Sequence, residues 1–344
     1  MPSEILSARD VLRRVTDRTL RYDFTVWFWG DAIAVDGLLE AARLLGDATP
    51  RDFCLEFYRR WARRRLNWAD HLTPGYGLLA LYQDVNDPAL LEAARNLARW
   101  MLEAAPRAPG GGPPLYRPDL SAFRHHAWVD TLYHVPPFYA LLAQVSGEGR
   151  YYDEAAHEWL VHARALVRPG SPILAHSRDT GSGLLKGYGW GRGNGWALFG
   201  MIDTLALLPQ THPAYADALA GFHTLSAEVL RLQDASGFWR TLIHDREAYL
   251  ETSTAAFFGG CFTKGVRLGL LSEEYAAAAE TAWRAMLSRL DGDGSLYGVS
   301  AVTVPSTHPD DDLTMYKTLP TEVNVWGQGA ALRFAAERLL AGLD

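Results

Sequence analysis

An aspartate set among aromatic rings and histidines can keep its proton to a higher pH than one in water, and so serve as a general acid near neutrality. The segment HHAWVDTLYHVPP, residues 125–137, supplies such a residue: Asp130, with Trp128 and Tyr133 on either side and Thr131 after it. The run VPPFYALLAQVSG that follows is apolar at helical spacing, so Asp130 stands where a helix begins. The Pro136-Pro137 pair near its start is tolerated in a first turn, where backbone donors have no intrahelical partner. The same position suits an N-cap, the ordinary task of an Asp before an apolar periodic run, and both readings stand at this level. Asp70, in Asn67-Trp68-Ala69-Asp70-His71, precedes another predicted helix and is the second candidate, although alone it reads as a capping or solvated residue. Two carboxylates brought together cannot ionise independently, and one then keeps its proton to higher pH.

The octapeptide GWGRGNGW, Gly189 to Trp196, is the other unusual stretch. Its glycines do not fit GxGxxG, no lysine follows as in a P-loop and no strand is predicted before it, so it is not a nucleotide cradle. It reads as a flexible turn that lets backbone approach a ligand, with Trp190 and Trp196 as platforms and Arg192 as a fork for a carboxylate. The competing reading is a helix start whose glycines solve a packing problem. His176, in LAHSRDTGSG, leads towards this run and is either a site residue or a locally bonded loop histidine.

Other chemistry lacks support. His125 and His126 have no partner at metal-ligand spacing and there is no HExxH. Asp291-Gly-Asp-Gly-Ser opens like a calcium loop, but Val302 stands where the closing Glu is required, so it reads as a turn. There is no GxSxG, and neither Cys54 nor Cys261 has an evident His partner or forms a CxxC, so both read as buried thiols.

These residues need a scaffold, and the chain can build a large one. Of its 344 residues 48% are hydrophobic, enough for a sizeable core. Charge is 33 minus 40, or −7, with no basic block, which argues against a nucleic-acid partner. The charged start MPSEILSARDVLRRV has no signal-peptide core and no later run is apolar enough to span a bilayer, so the expectation is a soluble cytoplasmic protein. The 12 Trp, 15 Tyr and 13 Phe make 12% of the chain and many cluster beside glycines; core packing accounts for most, and stacking on sugar rings is a further use.

Periodicity predicts twelve helices, at roughly 4–20, 24–45, 51–66, 74–84, 88–104, 129–146, 150–167, 192–208, 213–233, 253–270, 272–290 and 323–342. They alternate in character. One set carries a charged face, as in PALLEAARNLARWMLEAA; the other is nearly uncharged and rich in Gly, Ala and aromatics, as in GWALFGMIDTLALL, and must be buried all round. Pairs of this kind recur about every sixty residues. An α/α toroid follows: an inner ring of helices inside an outer ring, expected to form a single domain over 1–344. An open solenoid has the same alternation without closure, but the Gly-containing WGQGAALRFAAERLL reads as an inner helix and favours closure. The segments leading into inner helices would gather at one mouth with the helix N-termini, a favourable place for an anion.

Together these pieces resemble glycoside hydrolase family 105, the unsaturated rhamnogalacturonyl hydrolases, and the related unsaturated glucuronyl hydrolases. The resemblance rests on Asp70-His71 before GYGLLALYQDVNDPAL, on Trp128-Val129-Asp130 with PPFYA after it, on His176 before a Gly-rich turn, and on Trp190-Gly-Arg192-Gly-Asn-Gly-Trp196. It continues through SGFWRTLIHDREAYLETSTAAF and WGQGAAL. It implies an all-α (α/α)6 barrel that needs no metal or other cofactor. Asp130 matches the family's catalytic aspartate, Asp70 its second active-site aspartate, and Trp128, His176, Trp190, Arg192 and Trp196 match residues of the sugar pocket. This chain has His176-Ser177-Arg178-Asp179 where the family often has His-Ala-Trp-Asp, and Arg117 and Arg124 are the candidates for a basic pocket residue.

The implied substrate is an unsaturated oligosaccharide left by a polysaccharide lyase, and the implied reaction is hydration of the enol ether of its terminal 4,5-unsaturated uronic acid. Asp130 would protonate C4 and then act as base for water attacking C5. A uronidase acting on saturated uronides, a sugar epimerase on the same toroid and a non-enzymatic helical scaffold are the alternatives.

Overall fold

The computed structural model describes residues 6–24, 29–63, 66, 75–115, 120–308 and 310–344. In chain order its helices are α1 (Ala8–Thr19), α2 (Ala32–Leu45), α3 (Ala48–Trp61), α4 (Gly75–Val85), α5 (Pro88–Glu103), α6 (Thr131–Ser146), α7 (Arg150–Leu166), α8 (Gly191–Leu207), α9 (Tyr215–Arg231), α10 (Thr252–Arg267), α11 (Glu274–Leu287), α12 (Thr314–Thr318) and α13 (Val325–Leu340). All twelve expected helices are present. The second begins at Ala32 rather than near 24, behind a 3-10 turn at 29–31, and the five-residue α12 was not expected.

Their burial follows the two sequence classes. In α5 the buried residues are Leu90, Ala93, Ala94, Leu97, Ala98 and Met101, a single stripe at helical spacing that leaves the opposite face in water. That helix starts where Asp87 accepts a bond from the Ala89 N–H and Pro88 takes the first position. In α8, by contrast, every residue from Gly191 to Leu205 is buried, as are Thr131 to Ala143 of α6 and Val325 to Arg338 of α13. The fully buried helices form the inner ring: α2 packs on α4, α4 on α6, α6 on α8, α8 on α10, α10 on α13, and α13 back on α2. The ring is closed, so the architecture is the expected (α/α)6 toroid and not an open solenoid. At the closure α13 and α2 come very close: a Cβ on Gly329 would stand 2.4 Å from the Ala34 backbone nitrogen. α1 lies across the seam, against both α13 and α2.

The expectation that no strand precedes the Gly189–Trp196 run needs a correction, since one ends at Tyr188. Eight short strands are present among the described residues: β1 (His126–Trp128), β2 (Val167–Arg168), β3 (Ser171–Asp179), β4 (Leu185–Tyr188), β5 (Trp239–Arg240), β6 (Leu250–Glu251), β7 (Val299–Ser300) and β8 (Thr321–Glu322). All lie in connections that enter inner helices, where an extended chain must cross the ring's end and pair its backbone groups with something other than helix. β3 pairs antiparallel with β1, β2 and β4, β5 with β6, and β7 with β8. The connections also bond to one another, through Gly191 N–H to Thr241 O, Ile243 N–H to Gly189 O and Thr252 N–H to Gly298 O. They form a continuous layer over one end of the ring. No helix among the described residues is long and apolar enough to cross a membrane.

Candidate active site

Asp130 occupies the junction between β1 and α6. The Val129 N–H donates to the His176 carbonyl at 2.9 Å, so the strand pairing that ends β1 sets Asp130 beside His176 on β3. Asp130 has helical backbone angles (φ −56°, ψ −32°) and its side chain caps nothing, which decides against the capping reading. The residue is 4% exposed, and its Oδ2 makes no hydrogen bond among the described residues. That oxygen faces His176 Nε2, at 3.8 Å. Burial pushes its carboxyl up to about 7, against the opposing pull of a backbone hydrogen bond and the Arg192 charge. The shift expected from a paired carboxylate is thus produced mainly by desolvation. Asp70, the expected pair, lies outside the described residues, as does Arg117.

The wall around Asp130 is aromatic. His176 packs edge-on to Trp128 at 5.2 Å between ring centres and lies nearly parallel over Trp190, at 4.0 Å and 33°. Its Nδ1 is 2.7 Å from the Tyr316 hydroxyl, contributed by α12. Burial, with Arg192 and His126 adding to it, holds the His176 imidazole well below its ordinary pKa, so the ring is neutral at working pH. Burial likewise holds the Tyr316 phenol well above its ordinary value.

The Gly-Trp octapeptide divides its work. Trp190 lines the wall, and its indole N–H makes no hydrogen bond among the described residues. Asn194 staples β3 to the start of α8: its amide accepts from the Leu174 N–H at 2.9 Å and donates to the carbonyls of Leu174 and Trp190. Trp196, expected as a sugar platform, sits a turn deeper in α8, fully buried against Tyr133, His134 and Phe257. Its ring contacts are those of a core residue, because α8 has already entered the inner ring at that point. Arg124, the remaining candidate for a basic pocket residue, is exposed.

Arg192 also differs from expectation. Its guanidinium is buried over the Trp190 ring, 4.9 Å from the ring centre, and its terminal nitrogens donate to Ser300 O, Ser300 Oγ, Ala301 O and Thr303 Oγ1. Those bonds use all four terminal N–H groups and leave Nε–H without a partner among the described residues. The fork therefore grips the end of β7 and the residues that follow it. Glu251 completes the arrangement: it caps α10 through Ser253 and Thr254, accepts the Ser300 N–H at 2.8 Å and lies 3.9 Å from Arg192. Arg192→Lys should loosen residues 300–303 although charge is kept, since one ammonium cannot replace a planar fork. Faster amide exchange at 300–303 and a stability loss of about 1–3 kcal/mol are expected; unchanged exchange there would remove the clamp.

Sequence reasoning missed Tyr316 and Asn194. Asn194 stood inside a stretch already singled out, but Tyr316 belongs to a segment without periodicity.

The whole arrangement can now be set beside known proteins. A model of Glycosyl Hydrolase Family 88 matches residues 9–341. The chain belongs to that family. It is a glycoside hydrolase, similar to the unsaturated rhamnogalacturonyl hydrolase YesR of Bacillus subtilis, with 29% identity over 96% of this chain and 94% of the relative. The resemblance drawn from the sequence holds. Among solved structures, a possible family 105 member from Salmonella enterica superposes with a TM-score of 0.87 at 23% identity, covering 99% of this chain and 96% of that one. The unsaturated glucuronyl hydrolase of Bacillus sp. GL1 superposes with a TM-score of 0.74 at 18% identity, covering 98% and 97%. These structures share the fold of this family 88 member.

Proposed function

We propose that this chain removes a terminal 4,5-unsaturated uronic acid from lyase-generated oligosaccharides, in the cytoplasm, by hydrating the C4=C5 enol ether on a single catalytic domain. The observation that carries the reading is Asp130: a carboxyl raised to about 7 by burial, with an unbonded oxygen and a wall of rings beside it. Such a group holds a proton to give near neutrality and is an adequate base once it has given it. Similarity to YesR supports the substrate class.

In the proposed sequence Asp130 donates its proton to C4, and the ring oxygen stabilises the cation that develops at C5. Water then adds to C5 and returns a proton to the Asp130 carboxylate, leaving a hemiketal. Opening of the hemiketal breaks the C5–ring oxygen bond and yields a 5-keto group. The former ring oxygen remains on C1 as a hydroxyl, and the resulting hemiacetal expels the rest of the oligosaccharide. Trp128, His176 and Trp190 shape the sugar site, and Arg192 and Trp196 support it from behind. Asp70 is assigned as the second active-site carboxylate on the resemblance.

Turnover in heavy water tests the reading. Deuterium should appear on C4 of the released 4-deoxy-5-keto sugar when product is sampled before keto-enol exchange, and a saturated uronide of the same linkage should not be cleaved. Cleavage of the saturated uronide at a comparable rate, or product without C4 deuterium, would return the assignment to a conventional uronidase working at C1.

A further inference from the structure

Tyr316 reaches the site from α12, a helix outside the repeating inner and outer pairs. Its hydroxyl fits because residue 187 is glycine: a Cβ there would stand 2.1 Å from the phenol oxygen and 2.7 Å from the His176 Cβ, and φ is +62°. The phenol is fully buried, and its one side-chain hydrogen bond among the described residues is the 2.7 Å contact with His176 Nδ1. A buried O–H without an acceptor costs about 1–3 kcal/mol. The phenol must therefore donate to Nδ1, which requires that nitrogen to be bare. A neutral imidazole carries one proton, so it resides on Nε2, the nitrogen that faces Asp130 Oδ2 at 3.8 Å.

We infer that Tyr316 is a positioning residue: it fixes His176 in the tautomer protonated on Nε2, so that an N–H is aimed at Asp130 Oδ2 when charge develops there. At 3.8 Å the contact is too long for a hydrogen bond in the resting enzyme, and the protonated acid is left free to act. As Asp130 loses its proton to C4, the carboxylate draws the N–H in. A donor already oriented at the site of developing charge favours the transition state over the ground state. With the opposite tautomer a lone pair would face the new carboxylate and repel it. Strand β3 supplies the imidazole, β4 the glycine that admits the phenol, and α12 the phenol itself.

The inference rests on the proposed role of Asp130, but its first test needs no substrate. In wild-type protein labelled with ¹⁵N-histidine, His176, assigned by the resonances missing in His176→Gln, should show a bare Nδ1 and a protonated Nε2. Tyr316→Phe, which keeps the ring against His176 and Trp190, should lose that fixed pattern. Its kcat should fall roughly 10–100-fold, while KM stays within about twofold because uniform binding is untouched. A protonated Nδ1 in the wild type would overturn the inference whatever the reaction proves to be. So would a Tyr316→Phe enzyme with full kcat, with a defect confined to KM, or with lowered kcat and an unaltered tautomer, since the last means that Tyr316 serves packing alone.

Discussion

Asp130→Asn leaves substrate binding nearly intact and lowers turnover by about 10²–10⁴-fold, the range a positioned general acid contributes. The amide keeps the shape of the buried carboxyl and removes the acidic proton of Asp130. The pH dependence should change with it. The buried Asp130 carboxyl holds its proton up to about 7, so the protonated acid is present below that value and lost as pH rises through it. Wild-type kcat/KM should therefore fall on the alkaline side with a midpoint near that value, and the residual activity of Asp130→Asn should lack this limb. Kinetics across pH 5 to 9, with binding measured separately on the inactive variant, check both parts. Activity within a few-fold of wild type, or an unchanged alkaline limb, would remove Asp130 from the role.

Arg333→Met is expected to cost about 3–5 kcal/mol of stability, as removing one partner of a buried ion network does. Arg333 is fully buried on α13 and donates to Asp203 of α8 at 2.7 and 3.1 Å, to Glu40 of α2 at 3.1 Å and to the Tyr133 hydroxyl of α6 at 3.2 Å. Asp203 also takes Lys264 of α10 at 2.5 Å, and Glu337 takes Lys264 and Arg267. Burial alone would raise the Asp203 carboxyl, but Arg333 and Lys264 outweigh it and hold the group below its ordinary value. A depressed carboxylate stabilises the fold above the unfolded-state pKa of about 3.9, and that gain disappears as pH falls through the folded value. The deficit of Arg333→Met should thus be largest near neutrality and shrink in acid. Urea unfolding at several pH values reads it; a loss under about 1 kcal/mol at neutral pH would show that the network contributes little.

The parts legible in the sequence were those with local signatures. Alternation of solvated and buried helices announced the toroid, because each helix declares its own exposure through its own residues. Asp130 was visible as a carboxylate between rings ahead of an apolar run. Partnerships between distant segments were not legible. Asp203 is the one charged residue in GWALFGMIDTLALL, and nothing near it in the chain points to Arg333 of α13 as its partner. Arg192 looked like a fork for a ligand because nothing local hinted that residues 300–303 would occupy its donors. Trp196 repeated the look of Trp190, yet six positions along a buried helix separate the mouth from the core. Strand β3 went unseen because SPILAHSRD is buried continuously from Ile173 to Ser177, so its burial does not alternate with period two. Tyr316 had no pattern to betray it, since α12 is five residues long.

The seam between α13 and α2 sets an order on how the molecule comes to exist. Chains emerge from the ribosome N-terminus first, and domains fold as units. While the earlier staves are made, the strip around Ile33, Ala34 and Gly37 waits for the backbone of Gly329 and the side chain of Leu332, which arrive only after the inner helices α4, α6, α8 and α10 have been made. Loop closure over so long a stretch is slow and leaves apolar surface open to wrong partners in the meantime. The phenol of Tyr316 and the cation of Arg333 arrive in the same late portion. A nascent chain released before that portion would lack both the last stave of its ring and the hydroxyl beside its histidine, so it would be a client for chaperones or proteases and not a partial catalyst.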